Sequence, residues 1–157
     1  RRWCGQSPET DSSPAVRRQS ILAQDQQRWI CEADTFFIAS HHPEGGTDAS
    51  HRGGLPGFVR VLNDHRLVWP DYAGNTMFQT LGNISVNPQA GLLFIDFVRG
   101  RTLQLTGRAH ILWDQERAAA FPGSGPLAEF DVDGVVEIAG GHSLEWRFLD
   151  YSPENPA

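Results

Sequence analysis

Short runs of apolar residues, some of them alternating with polar residues, recur along the chain, and turn residues separate them. The first run reads Thr-Phe-Phe-Ile-Ala-Ser over residues 35–40 and stops before Pro43 and the Gly45-Gly46 pair. Later runs occupy residues 57–62, 66–69, 90–97, 102–113, 132–139 and 144–151. Alternation with a period of two residues is typical of strands that bury one face, so the pattern predicts a mainly β protein.

Two segments follow a helical pattern instead. Residues 14–33 place apolar side chains near helical spacing, and we predict a helix there with Ser13 as N-cap. Residues 114–121 are rich in alanine and glutamate, and Asp114 is the predicted N-cap of a second, short helix. Many short strands with few helices predict a small closed β-barrel with peripheral helices.

The length of 157 residues and the 39% hydrophobic content suit one domain. We expect residues 1–13 to be a flexible lead-in and residues 14–157 to form the single domain. The chain starts with arginine, so we expect it to be part of a longer polypeptide. No apolar run has the roughly 18 residues of a membrane span, which favours a cytoplasmic protein that does not enter a membrane.

Every one of the 13 basic residues is arginine. Lysine chemistry, such as a Schiff base or a Walker-type phosphate contact, is therefore excluded within this sequence, and arginine must bind any anion. A net charge of −6 argues against nucleic acid as a partner. Cys4 and Cys31 lack metal or redox spacing, which favours two thiols in a reducing compartment over a disulfide.

The segment 48–97 carries the candidate chemistry, because its polar residues cluster where predicted strands meet. Arg52 and Arg60 flank a glycine-rich turn, and Asn75 precedes a predicted short helix. Arginine forks and free amides at a helix start both bind anions. The segment therefore predicts a site for an anionic ligand that lies across the sheet.

Several stretches of this segment, in order, resemble the pyridoxamine 5′-phosphate oxidase-like family of flavin-binding split barrels. They are His51-Arg52-Gly53-Gly54, residues 56–61, Trp69-Pro70-Asp71, Gly74-Asn75, Asn87-Pro88 before Leu92-Leu93-Phe94, and Gly107-Arg108-Ala109. The resemblance covers about residues 35–113. It implies a six-stranded, Greek-key-like split barrel, and a homodimer with FMN bound in a cleft between the two subunits.

The resemblance also implies roles for individual residues. The strand with Arg60 would lie along the flavin, the end of the next strand would lie beside its ring, and the helix start would bind its phosphate. The cofactor-binding residues implied are Arg52, Val59, Arg60, Val61, Trp69, Pro70, Asp71, Asn75, Met77, Phe78 and Thr80. His51 is the candidate that could shuttle protons.

One position departs from the family. The oxidase has a basic pair at the helix start, where this sequence has Gln79 and Thr80. Phosphate binding would then move to Arg52, Arg60 or His51. The basic C-terminal segment that supplies the oxidase with its substrate residues has no convincing match either. We therefore expect flavin chemistry, but not pyridoxamine phosphate oxidation.

Three functions remain open at this point. The first is an FMN-dependent oxidoreductase that transfers a hydride through flavin N5 to or from a small molecule. The second is a non-catalytic flavin- or haem-binding module, and FAD or a deazaflavin coenzyme could replace FMN. The third is a metal-dependent hydrolase that uses His41, His42, Asp48 and His51, although these histidines also fit a solvated hairpin, and we predict no metal.

Overall fold

In the residues that the structure describes, the fold is one antiparallel sheet of eight strands with three helices beside it. It is seen in a computed structural model that describes residues 14–72, 79–121, 124–140, 147 and 149–150, without the side chains of residues 115 and 124. The strands are β1 Ala15–Gln19, β2 Thr35–His42, β3 Gly46–Gly53, β4 Arg60–Asn63, β5 Arg66–Tyr72, β6 Gln89–Asp96, β7 Arg101–Leu112 and β8 Ser124–Ala139. The helices are α1 Gln24–Glu32, α2 Gln79–Val86 and α3 Gln115–Ala118.

The strands are ordered β3-β2-β6-β7-β8-β5-β4, and β1 pairs with β8. The ends of this order approach each other, because Phe36 of β2 packs edge-on against Trp69 of β5 with ring centres 5.2 Å apart. Sequence alternation fixes the sides: Phe36 and Ile38 face the core, while Phe37 between them is 37% exposed. The mainly β split-barrel prediction is confirmed, although the described sheet has eight strands and not the six that the resemblance implied.

The core fills the space between the two ends of the sheet. Its largest fully buried side chains include Trp69, Phe36, Phe94 and Phe130. Phe36 contacts Trp69 edge-on and also stacks on Phe94 at 5.2 Å, so one aromatic cluster joins β2, β5 and β6. This cluster holds the end of β5, and with it Asp71, at a fixed place opposite β3.

The predicted helix over residues 14–33 is wrong in its first half. Residues Ala15–Gln19 form β1, which pairs with Val135–Ala139 of β8, and only Gln24–Glu32 is helical. The helix starts after Ala23, whose N–H donates to the Gln26 side chain at 3.1 Å, and not after Ser13. The sheet edge offered by β8 decides the conformation of this stretch, since mostly exposed residues carry little preference of their own.

Three further predictions differ from the structure, and one strand, β3, was not predicted at all. β8 begins at Ser124 rather than at residue 132. The helix predicted over residues 114–121 is α3, which ends at Ala118. Asp114 caps it as predicted, by accepting hydrogen bonds from the Glu116 and Arg117 amides at 3.0 and 3.1 Å. The strand predicted over 144–151 is absent at Arg147, Leu149 and Asp150, and its other residues lie outside the described part of the chain.

A network of charged and polar side chains fastens α1 onto the barrel. The Arg101 guanidinium donates to Asp96 at 2.9 Å and to Glu137 at 3.2 Å. Glu137, which is 8% exposed, also accepts from the Gln26 side chain at 2.9 Å. Burial would raise the pKa of Asp96, but hydrogen bonds from the Arg99 amide and from the Arg101 and Arg99 guanidinium groups lower it overall.

None of the helices in the described ranges is long and apolar enough to cross a membrane. Cys31 is a free cysteine on α1, and Cys4 lies before the first described residue. The lead-in predicted over residues 1–13 also lies there.

Candidate functional site

Polar side chains of β3 line the side of the sheet that elsewhere forms the core. In the antiparallel register, Arg52 lies opposite Phe36, Ser50 opposite Ile38 and Asp48 opposite Ser40. Residues two apart on a strand share a face, so Asp48, Ser50 and Arg52 point to the same side. We call these three residues the polar ladder.

Helix α2 hydrogen-bonds to two members of the polar ladder, Asp48 and Ser50. The Thr80 hydroxyl donates to Asp48 at 2.7 Å and lies 2.8 Å from the Ser50 hydroxyl. One turn later, the Asn83 amide donates to the Ser40 hydroxyl at 3.0 Å. Thr80, Asn83 and Ser40 are all buried, so these bonds position α2 on β2 and β3 rather than facing solvent.

Arg52 joins the polar ladder to the far end of the sheet. Its Nη1 donates to Asp71 Oδ1 at 2.6 Å, and the two side chains are 20% and 9% exposed. The pair connects β3 with β5, which are not hydrogen-bonded neighbours in the sheet. Burial raises the pKa of the Asp71 carboxyl, and the Arg52 cation only partly opposes this effect.

Arg60 lies on the edge strand β4 and is held by the residues that follow α3. Its Nη2 donates to the Ala120 carbonyl at 2.6 Å, and its guanidinium carbon lies 3.9 Å from the centre of the Phe121 ring. Burial raises the pKa of the nearby Tyr72 phenol, and the Arg60 cation opposes the rise. The side chain is exposed, so Arg60 presents a positioned cation to solvent.

Four other predicted contacts lie inside the barrel or at its wall. Val59 and Trp69 are 1% and 2% exposed, Pro70 is buried, and Val61 packs partly buried against the core. The side chains of Val59 and Trp69 therefore serve packing, and only their backbone could contact a ligand. Thr80, also predicted as a contact, spends its hydroxyl on the polar ladder.

His51 points away from Arg52. It is exposed, its ring meets Phe37 edge-on at 5.6 Å, and Nε2 is hydrogen-bonded to the Thr35 hydroxyl. Because neighbouring residues on a strand face opposite sides, His51 lies on the outer surface of the sheet. Arg52 and His51 are adjacent in sequence but cannot contact one ligand from the same side of β3.

The glycines of the motif serve the loop that follows β3. Gly57 has a φ of 92° and its amide donates to the Cys31 carbonyl at 2.8 Å. A Cβ at Gly54 would lie 2.5 Å from the Phe58 ring. This loop therefore fixes the start of β4, and with it Arg60, against the end of α1.

The alternative metal site gains no support. β2 continues through His42, and residues 43–45 form the turn, as expected for a hairpin tip. His42 Nδ1 accepts the Gly45 amide at 2.9 Å, and His41 contacts Asn87. Within the described ranges, no three histidine, cysteine, aspartate or glutamate side chains are grouped closely enough to hold a metal ion.

Three predicted cofactor contacts, Asn75, Met77 and Phe78, lie outside the described residues. Other polar residues at the site were not predicted as contacts: Ser40, Ser50, Tyr72 and Asn83, and Asp48 was considered only for metal. The polar alternation of 48, 50 and 52 is the signal that could have identified the polar ladder.

Solved structures of similar fold come from several bacteria. A variant of HupZ from Group A Streptococcus has a TM-score of 0.59 at 15% identity and covers 73% of this chain and 98% of its own. A putative pyridoxamine 5′-phosphate oxidase from Lactobacillus delbrueckii also scores 0.59, at 13% identity, with 74% and 98% covered. A FAD-binding protein from Mesorhizobium loti scores 0.55 at 12% identity, with 82% and 99% covered.

These identities are low enough that the structures show the shared fold alone. No curated protein matches the sequence. The family model described as pyridoxamine 5′-phosphate oxidase matches residues 22–132, which run from the start of α1 into β8 and include both arginines of the site. The chain therefore belongs to the pyridoxamine 5′-phosphate oxidase family.

Proposed function

We propose that this protein binds a flavin, with FMN as the first candidate, and that it acts as an oxidoreductase on a small molecule. Its family membership over residues 22–132 supports flavin binding, as does the similar fold of a FAD-binding protein. In the same proposal the protein is a homodimer with the cofactor at the subunit interface. The reaction differs from pyridoxamine phosphate oxidation, because Gln79 and Thr80 replace the basic pair of that enzyme.

The observation that carries the proposal is the pair of arginines near the two ends of the sheet. Arg52 projects from edge strand β3 and Arg60 from edge strand β4, and each guanidinium is hydrogen-bonded to a distant part of the chain. Positioned guanidinium groups bind phosphate with charge-assisted, often paired hydrogen bonds. With no lysine in the sequence, these are the residue types that a phosphate would require.

The donor set fits a flavin phosphate better at Arg60 than at Arg52. The contacts described for Arg60 are a carbonyl oxygen and an aromatic ring, so its positive charge is not offset by either of them. Arg52 already contacts the Asp71 carboxylate. We therefore assign Arg60 as the main phosphate contact and Arg52 as a second one, whose charge is shared with Asp71.

The remaining residues would shape the ring site. The side chains of Val59, Val61 and Trp69 keep β4 and β5 against the core. Any contact of Val59 or Trp69 with the ring would therefore come from its backbone. A bound flavin supplies hydride transfer at N5, and the protein contributes its orientation and the surrounding charges. His51 faces the outer surface, so in this proposal it contributes to a reaction only from that side.

A flavin titration tests the proposal. Purified protein is mixed with riboflavin, FMN and FAD, and quenching of flavin fluorescence is followed to saturation. We expect saturable binding, and we expect FMN to bind more tightly than riboflavin because FMN carries a phosphate that riboflavin lacks. Absence of saturable binding of any of the three would reject the proposed function.

Arg60→Ala identifies the phosphate contact. We expect FMN affinity to fall by about 1.5–3 kcal/mol, the usual value for a hydrogen bond to a charged group, and riboflavin affinity to stay unchanged. Arg108→Ala is the matched control, because Arg108 is an exposed strand arginine whose described partner is Asp133 at 3.4 Å. Equal FMN affinity in the Arg60 variant and the wild type would refute the assignment.

Turnover separates an enzyme from a binding module. The flavin-loaded protein is mixed with NADH or NADPH in the presence of oxygen, and loss of the reduced nucleotide is followed. We expect oxidation above the rate of free FMN. Flavin binding without such turnover would instead favour the non-catalytic flavin-binding module.

A further inference from the structure

The Arg52–Asp71 pair places a buried carboxylate next to a proposed phosphate contact. Asp71 is the more buried partner, with its side chain 9% exposed against 20% for Arg52. The single hydrogen bond described for the guanidinium uses Nη1, so a planar fork with further N–H groups faces partly toward solvent. An anion that reaches these groups would meet the carboxylate at the same guanidinium.

Few other charges surround the carboxylate. On β3, Asp48 shares a face with Arg52 but accepts a hydrogen bond from Thr80, and His51 faces the opposite side. On β4, the Arg60 cation opposes the rise in the pKa of the Tyr72 phenol, whereas the cation that opposes the rise in the pKa of Asp71 is Arg52. Helix α2 and the linking residues 73–78 contain no ionisable side chain in their sequences. Among the described neighbours, Arg52 is therefore the cation in direct contact with Asp71.

We propose that Asp71 is a positioning residue for ligand binding, and that it takes up a proton when an anionic ligand group binds Arg52. This inference rests on the proposed function. Without ligand, the carboxylate holds the guanidinium between β3 and β5. When the ligand binds, its anionic group accepts hydrogen bonds from the Arg52 guanidinium and repels the Asp71 carboxylate. One proton from solvent then joins an Asp71 oxygen, and no bond of the ligand breaks.

The reason lies in the balance of burial and charge at Asp71. Burial disfavours the ionised carboxyl, and the contact with Arg52 offsets part of this cost. Any anion that weakens the contact removes the offset while leaving the burial unchanged. Binding and protonation are then linked, so lower pH favours the bound state through Asp71.

Isothermal titration calorimetry measures the linkage. FMN is titrated into the full chain near pH 6 in two phosphate-free buffers that differ in ionisation enthalpy, and the difference in heat gives the protons taken up per FMN. The same titration is run on Asp71→Asn, whose amide cannot titrate. The FMN phosphate titrates in both experiments, so only the difference between the two proteins, which depends on the Asp71 carboxyl, is interpreted.

We expect the wild type to take up more protons per FMN than Asp71→Asn, by a measurable fraction of one proton. Riboflavin, which lacks the anion, should give no difference between the two proteins. Asp71→Glu should restore the uptake, since it restores a titrating carboxyl. Equal uptake by wild type and Asp71→Asn with FMN, or an equal difference with riboflavin, would overturn the inference.

Two further outcomes are distinguishable. If the wild type binds none of the flavins, the proposed function fails and the linkage fails with it. If FMN binds with no excess of protons, the proposed function stands and only the linkage is wrong. Should Asp71→Asn not fold, as judged by thermal unfolding, Asp71→Ser provides a second variant without a titrating group, and the same comparison decides.

Discussion

The Arg52–Asp71 pair makes a quantitative prediction about stability. Arg52→Met removes the cation and keeps much of the aliphatic stem, which leaves a carboxyl with a 9% exposed side chain without its partner. Removing one member of a buried pair costs about 3–5 kcal/mol, and because Arg52 is itself one-fifth exposed we expect about 2–3 kcal/mol for Arg52→Met. Asp71→Asn leaves a guanidinium that water can reach, so we expect a smaller loss of about 1–2 kcal/mol.

The loss in Arg52→Met should depend on pH. The fold raises the pKa of Asp71, so this group contributes stability that is fully present below its unfolded pKa and is lost as pH rises through the folded pKa. Without Arg52 the folded pKa rises further, and more stability is lost toward neutral pH. The penalty of Arg52→Met should therefore be larger at pH 7.5 than at pH 5.

Urea unfolding at both pH values measures these effects. With a slope of about 1–3 kcal/mol per molar urea, the expected losses move the midpoint by roughly 1 M, which is easily resolved. The double variant completes a thermodynamic cycle and should lose less than the sum of the single variants. A penalty for Arg52→Met that is negligible, or equal at both pH values, would refute the reasoning.

Two further predictions concern the barrel frame. Arg101→Leu should cost about 1–3 kcal/mol, because the Asp96 side chain, which is 8% exposed, loses one of its two guanidinium partners. The fold lowers the pKa of Asp96, so part of the stability is lost as pH falls through that pKa. This loss should be smaller in the variant, as acid unfolding curves can show. An unchanged acid limb would contradict this. Gly107→Ala should cost about 2 kcal/mol or more, because its Cβ would overlap the Asp131 carbonyl oxygen of β8, while Gly82→Ala on α2 meets nothing within 4 Å and should gain up to about 1 kcal/mol. Thermal unfolding compares the two, and equal melting temperatures would contradict the packing argument.

The strands with apolar alternation were predictable from sequence, and the polar strand was not. Residues 90–97 form an apolar run and residues 102–113 alternate in part, and β6 and β7 occupy nearly those ranges. β3 reads GTDASHRG and lacks an apolar face. It forms because the turn at 43–45 folds it back on β2 and because α2 supplies hydroxyl and amide partners to its inner side. Such partners come from distant sequence, so local pattern cannot reveal them.

The candidate site was predictable only in part. The sequence predicts Arg52 and Arg60 as anion-binding residues, but spacing cannot show that Asp71, nineteen positions after Arg52, lies 2.6 Å from it. That contact depends on how the sheet curves until β3 and β5 meet. Trp69 was predicted beside the flavin ring, whereas its side chain anchors the aromatic core, since alternation along β5 does not distinguish a barrel interior from a ligand cleft.

The central claim is that the protein binds a flavin whose phosphate contacts Arg60. Its most direct test is the fluorescence titration of FMN and riboflavin into wild-type and Arg60→Ala protein. We predict saturable binding of both flavins by the wild type, and an FMN affinity that falls in the variant by about 1.5–3 kcal/mol, or roughly ten- to a hundredfold, while riboflavin affinity is unchanged. Saturable binding of neither flavin, or FMN affinity identical in the two proteins, would contradict the claim.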